Sequence, residues 1–271
     1  AFEVFQNHTY AQERIVRDVR VDICGGRNCV SPISTITVGD PPIVADGASS
    51  LDALEAIDTG RMLVAQFTVQ GEPDTGPDEY SATIDWGDGT APEKNAEVVL
   101  DSGVISVSGS HTFATGGNYH VTVSVRDDSG GSTDTIATVI VEPDVTPQTT
   151  SIGSGLIFNP ADRVFVGDLR VSNNSSQDIP GPLFIVISDL TPGVALVSFL
   201  QMTGEGDPML KVDQSRLAAG QALPPIPLIF ENPGLTPVNY RVRVFDGTEP
   251  APEPADAGVV SVQSLLIAAV E

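Results

Sequence analysis

Apolar and polar residues alternate in short runs along most of the chain, and turn-forming residues separate these runs. The clearest run is NYHVTVSVRD at residues 118–127. In an extended strand every second side chain falls on the same face, so one face of this run carries Tyr119, Val121, Val123 and Val125. Glycine, aspartate, asparagine and proline bound such runs, and periodic segments of helical length are missing. The pattern predicts an all-β fold.

Two further segments give local predictions. The run LDALEAIDTG places Leu51, Leu54 and Ile57 at helical spacing and predicts a short helix. The run EYSATIDWGDGT predicts a strand that enters a tight turn at Asp88-Gly89, and DSGVISVSGSHTF is the strand expected to return after it.

The chain repeats part of itself. HTYA at residues 8–11 matches HTFA at residues 111–114, and a strand and a glycine turn follow each copy. The period of about one hundred residues suits one β-sandwich domain rather than a solenoid repeat. In the first copy, the residues that correspond to Val121, Val123 and Val125 are Val19, Val21 and Ile23.

The run ATIDWGDGT, followed by GSHTFATGGNYHVTVSVRDDSGG, resembles a PKD domain. Four motifs of that family occur in its order: W-G-D-G, H-T-F, G-x-Y-x-V and a D-x-x-G turn. The resemblance implies an Ig-like β-sandwich from a large bacterial surface protein, and residues 149–247 resemble a second Ig-like module more loosely. The organisation expected is trailing strands of an incomplete PKD-like repeat at 1–41, a PKD-like sandwich at 42–144, a second sandwich at 149–247, a Pro/Glu/Ala linker at 248–257 and a strand-like tail at 258–271.

An incomplete repeat would leave the Val19, Val21 and Ile23 face bare to water, with an open strand edge. The covering strands could come from preceding residues, from the apolar tail or from a neighbouring molecule, and a cut through a repeat is the plain alternative. Donation to a neighbour is a head-to-tail contact, which propagates into a filament unless it closes into a ring. The tail residues expected in this assembly are Val262, Leu265, Leu266 and Ile267.

Cys24 and Cys29 flank Gly-Gly-Arg-Asn, at the turn that corresponds to DDSGGS in the complete copy. Across a tight hairpin their Cβ atoms can meet, which favours a disulfide and an oxidising location. A zinc half-site is the alternative, although the chain offers only three histidines to complete it.

Thirty-six acidic against thirteen basic residues leave a net charge of −23, which argues against nucleic acid as a partner, and no apolar run is long enough for membrane insertion. No catalytic motif is present, so no enzyme is expected, and no cofactor beyond Ca²⁺, for which Asp85 and Asp88 are weak candidates. We expect a non-catalytic subunit of an extracellular filament, stalk or surface layer. Its expected partners are identical subunits, in a homo-oligomer or filament. The alternative is an adhesin or an accessory binding module of a secreted protein.

Overall fold

The computed structural model describes residues 4–8, 16–37, 39, 41–47, 49–70, 79–128 and 130–247. Within them the chain divides into two compact units. The first comprises Ala1–Asp144 with Leu200–Met209, and the second comprises Val145–Phe199 with the chain from Leu210 onward. Each unit has its own core of buried apolar side chains.

The described chain begins with a long hairpin of four short strands. The strands are β1 (Val16–Arg20), β2 (Ile23–Gly25), β3 (Asn28–Val30) and β4 (Ile33–Thr37). β1 pairs with β4 and β2 pairs with β3, both antiparallel, so the two pairs follow one another along a single hairpin.

The rest of the first unit is one curled sheet of eight strands, in the order β5-β7-β10-β9-β8-β11-β12-β6. Its strands are β5 (Ile43–Ala45), β6 (Ser50–Leu54), β7 (Met62–Val69), β8 (Tyr80–Asp85), β9 (Glu93–Asp101), β10 (Val104–Gly109), β11 (Gly117–Asp127) and β12 (Ser132–Glu142). The largest fully buried side chains of this unit are Phe67, Ile84, Trp86, Ile105 and Phe113.

The alternation in residues 118–127 is confirmed by burial, since Val121, Val123 and Val125 have no exposed surface. The prediction of a helix from Leu51 to Ile57 is wrong, because Ser50–Leu54 forms strand β6 and pairs in parallel with β12. There Ala53 is buried and Leu51 half-buried, which is the two-residue period of a strand.

The predicted partner of the strand that ends at Asp85 is also wrong. β8 pairs with β9, which the sequence had not indicated, and β9 in turn pairs with β10. The segment Val104–Gly109 is therefore one strand further along the sheet than expected. Polar residues dominate the start of β9, where Glu93, Lys94 and Asn95 stand in succession, so that no apolar alternation marks it.

The remaining strands form two main sheets, in the orders β13-β15-β22-β18 and β19-β20-β17-β23. A short 3₁₀ turn, Thr146–Gln148, precedes the first strand. The strands are β13 (Thr149–Gly153), β14 (Ile157–Asn159), β15 (Val164–Asn173), β16 (Ile179–Pro180), β17 (Leu183–Ser188), β18 (Ala195–Leu196), β19 (Gln201–Met202), β20 (Pro208–Val212), β21 (Arg216–Leu217), β22 (Ile226–Glu231) and β23 (Arg241–Asp246). β14 pairs with β15, and β16 pairs with β21.

The predicted all-β fold class is confirmed. In the described ranges the structure contains no helix with the length and apolarity needed to cross a membrane.

Candidate assembly site

The N-terminal hairpin is interrupted once on each side. Val21 and Asp22 separate β1 from β2, and Ser31 and Pro32 separate β3 from β4. A polar cluster lies at the interruption, where Arg20 Nε is 2.8 Å from Asp22 Oδ1 and the Ser31 hydroxyl donates to the same carboxylate. The hydrogen bonds from Ser31 and Arg20 lower the pKa of Asp22. The backbone N–H of Val21 still donates to Pro32 O at 3.1 Å, which keeps the two pairs in one register.

The interruption leaves the expected apolar face in place. Val19 lies in β1, Ile23 lies in β2 and Val21 lies between them, and the continuous register keeps all three on the same side of the hairpin. All three are half-buried rather than bare to water. The apolar side chains that do lie exposed on the hairpin are Val16 at 63%, Val30 at 64%, Ile33 at 62% and Ile36 at 40%.

Cys24 and Cys29 stand opposite each other at the end of the hairpin. Their sulfur atoms are bonded at 2.05 Å and their Cα atoms are 4.1 Å apart. Both thiols are therefore used in a disulfide. Among the described residues, no group of three or more His, Cys, Asp or Glu is placed to hold a metal ion.

The two outer edges of the hairpin carry unpaired backbone groups. The pair Val21–Pro32 is hydrogen-bonded, and in an antiparallel ladder hydrogen-bonded pairs alternate with pairs whose N–H and C=O groups point outward. The outward residues therefore include Asp18 on β1 and Thr35 on β4. No other described strand pairs with either edge.

The complete domain shows what such a hairpin looks like when its edges are filled. The hairpin of β11 and β12 occupies the place in its repeat that the β1–β4 hairpin occupies in the first copy. There β8 pairs antiparallel along the outer edge of β11, and β6 pairs in parallel along the outer edge of β12. The N-terminal hairpin lacks both kinds of neighbour within the described ranges.

The expected assembly residues of the tail, Val262, Leu265, Leu266 and Ile267, lie outside the described residues. Their part in assembly stays a prediction.

The W-G-D-G turn of the first unit is held by a cluster of three packed rings and a hydrogen-bonded carboxylate. His111 stacks on Trp86, with ring centroids 4.9 Å apart and an interplanar angle of 8°, and Phe113 packs edge-on against both rings. Trp86 is only 2% exposed, in keeping with a core role. Gly87 has a φ of 74°, and a Cβ at this position would overlap the carbonyl oxygen of His120.

Both candidate calcium ligands already serve this turn. Asp85 Oδ1 accepts from the N–H of Gly87 at 3.1 Å. Asp88 Oδ1 accepts from the N–H and the hydroxyl of Thr90, and its Oδ2 lies 2.8 Å from His111 Nε2. A calcium site at Asp85 and Asp88 stays a prediction.

The environment of Asp88 favours its ionised form. Burial by itself raises the pKa of this carboxyl, but the hydrogen bonds from Thr90 and His111 outweigh burial and lower the pKa to about 2. The side chain is 9% exposed, so the contacts are made largely out of water. They tie the turn before β9 to the segment between β10 and β11.

Two structural carboxylates were not recognised from the sequence. Glu55 Oε2 accepts from the backbone N–H groups of Gly116 and Asp144, at 3.1 and 3.0 Å, across 61 and 89 residues of chain. Asp127 Oδ1 accepts from the N–H groups of Gly130 and Gly131, both at 2.8 Å, which closes the D-x-x-G turn. The turn motif gave a local signal for Asp127, whereas nothing near Glu55 in sequence pointed to its partners.

Comparisons with known proteins bear on the first unit. The family model of the PKD domain matches residues 48–141. A search of the curated proteins found no match. PKD domains occur as modules of extracellular multidomain proteins and are typically non-catalytic.

Two solved structures are similar to this chain at low identity. The secreted serine protease VesC from Vibrio cholerae is 10% identical, with 76% of this chain and 51% of that chain covered and a TM-score of 0.24. Chitinase ChiA74 from Bacillus thuringiensis is 13% identical, with 75% of this chain and 29% of that chain covered and a TM-score of 0.19. The chain therefore spans about half the length of the first and less than a third of the second. The motifs, the curled sheet and the family match agree, and residues 48–141 of this chain are a PKD domain.

Proposed function

We propose that the chain is a non-catalytic structural subunit of an extracellular filament, stalk or surface layer, assembled head to tail by strand complementation. One observation carries the proposal: among the described strands none pairs with either outer edge of the N-terminal hairpin, whereas the matching β11–β12 hairpin is flanked by β8 and β6. An open edge is a template for an added strand.

The exposed apolar side chains of the hairpin support the same reading. Val16, Ile33 and Ile36 would each gain from being covered, by about 1.5–3 kcal/mol for complete burial. Main-chain hydrogen bonds to the outward groups of Asp18 and Thr35 would add to that gain. A strand that docks here is therefore stabilised both by backbone pairing and by side-chain burial.

The donor that we propose is residues 258–271 of a neighbouring copy. Residues 258–270 carry no charge, in a chain whose net charge is −23, and include Val262, Leu265, Leu266 and Ile267. A segment of this composition can pair with the edge of β4 as β6 pairs with β12. The Pro-rich linker 248–257 favours an extended conformation, which gives the segment the reach to contact a neighbouring copy.

A second candidate function rests on the PKD domain itself. Because PKD domains are accessory modules of extracellular multidomain proteins, the chain could serve as an adhesin or as a binding module of a secreted protein. In that case the hairpin edges would be filled by the same polypeptide, and purified chains would stay apart.

Negative-stain electron microscopy of the full chain and of a chain lacking residues 258–271 distinguishes the two functions. We expect filaments from the full chain and single particles from the shortened one. Single particles in both samples would overturn the structural-subunit proposal and favour the binding module. Filaments in both samples would overturn the role of residues 258–271 as donor.

A further inference from the structure

The second unit has a cleft of about 490 Å³ on the side where β13 and β23 end their sheets. β13 is the terminal strand of one sheet and β23 is the terminal strand of the other. Residues of both strands and their neighbours line the cleft, together with Thr146 at the start of the unit: Thr149, Ser151, Gly153, Tyr240, Arg241 and Val242. The cleft therefore runs between two strand edges.

Unused hydrogen-bonding groups of β13 face this cleft. At its two ends the N–H of Ser154 donates to Asp168 O and Gln148 O accepts from the N–H of Asn174, so the even-numbered residues between them bond to β15. The backbone groups of Ser151 and Gly153 consequently point away from β15, toward the cleft. The Ser151 Oγ atom is buried and has no hydrogen-bond partner among the described residues.

β23 contributes a matching edge. The N–H of Gly247 donates to Pro182 O, which fixes the odd-numbered residues of β23 as the ones bonded to β17. The backbone groups of Val244 point outward and are already hydrogen-bonded, because its C=O accepts from the N–H of Val145 and its N–H donates to the Thr146 hydroxyl. The backbone groups of Val242, two residues earlier, also point outward, and Val242 lines the cleft.

The β13 edge lacks two of the features that usually block strand addition. Its sequence TTSIG contains neither charge nor proline, although the chain as a whole carries a net charge of −23. Apolar side chains stand exposed along the same edge, since Ile152 is 62%, Ile157 75% and Phe158 46% exposed. An open, uncharged edge with an apolar surface beside it fits an uncharged apolar strand.

We propose that residues 258–271 of the same chain dock along the β13 edge as an added strand. These residues follow β23 after the ten-residue linker 248–257, which spans about 31 Å when extended. β23 is six residues long, or about 20 Å, so the linker can bring the segment back along the cleft. Backbone groups of the segment then pair with Ser151 and Gly153, and its apolar side chains cover Ile152 and Ile157.

This docking goes beyond the proposed function, because it is intramolecular. In the free subunit the donor segment is bound to the β13 edge of its own chain. It must dissociate from that edge before it pairs with the hairpin of a neighbour. Such a contact would slow assembly and keep an apolar segment covered in the free subunit.

Amide hydrogen exchange, read by NMR residue by residue, tests the docking in the full chain carrying Thr35→Pro, which removes an outward N–H of β4 and so prevents head-to-tail assembly. In this background we compare the unaltered segment with the double variant Leu265→Asp/Ile267→Asp, and use Ala255→Asp/Ala257→Asp as a control that adds the same charge to the linker. We expect exchange at Ser151 and Gly153 to be about tenfold faster in the first variant and unchanged in the control. Exchange at Thr150 and Ile152, which bond to β15, should not change.

Equal exchange at Ser151 and Gly153 in all three proteins would overturn the docking. Protection of these amides that falls on dilution would also overturn it, because an intramolecular contact does not depend on concentration. If the full chain without a blocking substitution forms no filaments while the amides of Ser151 and Gly153 are protected, only the proposed function is contradicted. The two failures are therefore distinguishable. Ser151→Pro, which removes only an outward N–H, provides a second variant: it should leave residues 258–271 open to protease, whereas Ser151→Ala should not.

Discussion

His111 and Asp88 are hydrogen-bonded, Nε2 to Oδ2 at 2.8 Å, through the same imidazole ring that stacks on Trp86. The carboxylate therefore orients the ring, and the ring covers the indole. One residue of the W-G-D-G turn and one of the H-T-F motif are thus parts of a single structure.

The first prediction concerns acid stability. Because the folded-state pKa of Asp88 is about 2, below the ordinary 3.8, its ionised form stabilises the fold above about pH 4, and this contribution is lost as the pH falls toward 2. Asp88→Asn should lower the free energy of unfolding by about 2 kcal/mol at pH 7 and by much less near pH 2. Urea unfolding followed by the fluorescence of Trp86, the only tryptophan, measures both values.

Asp85→Asn is the control for that experiment, since it changes an exposed carboxylate of the same turn and retains an acceptor for Gly87. An Asp88→Asn loss of equal size at both pH values would contradict the account.

The second prediction compares two glycines of one turn. Gly87 and Gly89 both have positive φ, of 74° and 85°, but only a Cβ at Gly87 would meet the backbone of His120. Gly89→Ala should cost about 1 kcal/mol from backbone strain alone, and Gly87→Ala about 3 kcal/mol. Urea unfolding at pH 7 measures both. Equal losses would show that the overlap with His120 is relieved at little cost.

The third prediction concerns the disulfide. Cys24→Ser/Cys29→Ser should speed amide exchange in the hairpin Val16–Thr37, because the bond restrains that hairpin locally and closes a loop of small sequence separation. The urea midpoint reported by Trp86 should stay unchanged, since Trp86 packs in the core of the eight-stranded sheet, to which no residue of the hairpin belongs. A shift of that midpoint would mean that the hairpin stabilises the PKD domain directly.

The fold class and the strand β11 could be predicted from sequence because their signal is local. Alternation along one strand depends on one face being buried, and Val121, Val123 and Val125 show it plainly. Strand β6 could not be predicted, because Leu51, Leu54 and Ile57 suit a helix as well, and the parallel partner that decides the outcome lies in β12.

The candidate site was predictable only in part for the same reason. The repeat indicated that a hairpin stands alone, because motifs about one hundred residues apart match directly in the sequence. The cysteine spacing suggested a disulfide from residues only a few positions apart. The break at Val21 and Asp22 depends on contacts with Arg20 and Ser31 across the hairpin, and the bonds of Glu55 reach across the whole domain. Contacts of that range leave no periodic mark in the sequence.

The most direct test of head-to-tail assembly uses two chains that are blocked at opposite ends. Thr35→Pro removes an outward N–H of β4 and leaves the donor intact, whereas the chain lacking residues 258–271 keeps the hairpin intact and has no donor. Thr35→Ala, which keeps the N–H, is the control and should still polymerise.

Light scattering after size-exclusion chromatography gives the mass of each species. We predict that each blocked chain alone is a monomer and that a mixture of the two forms a pair and nothing larger. Monomers only in the mixture, or polymers from either blocked chain alone, would contradict assembly through the hairpin.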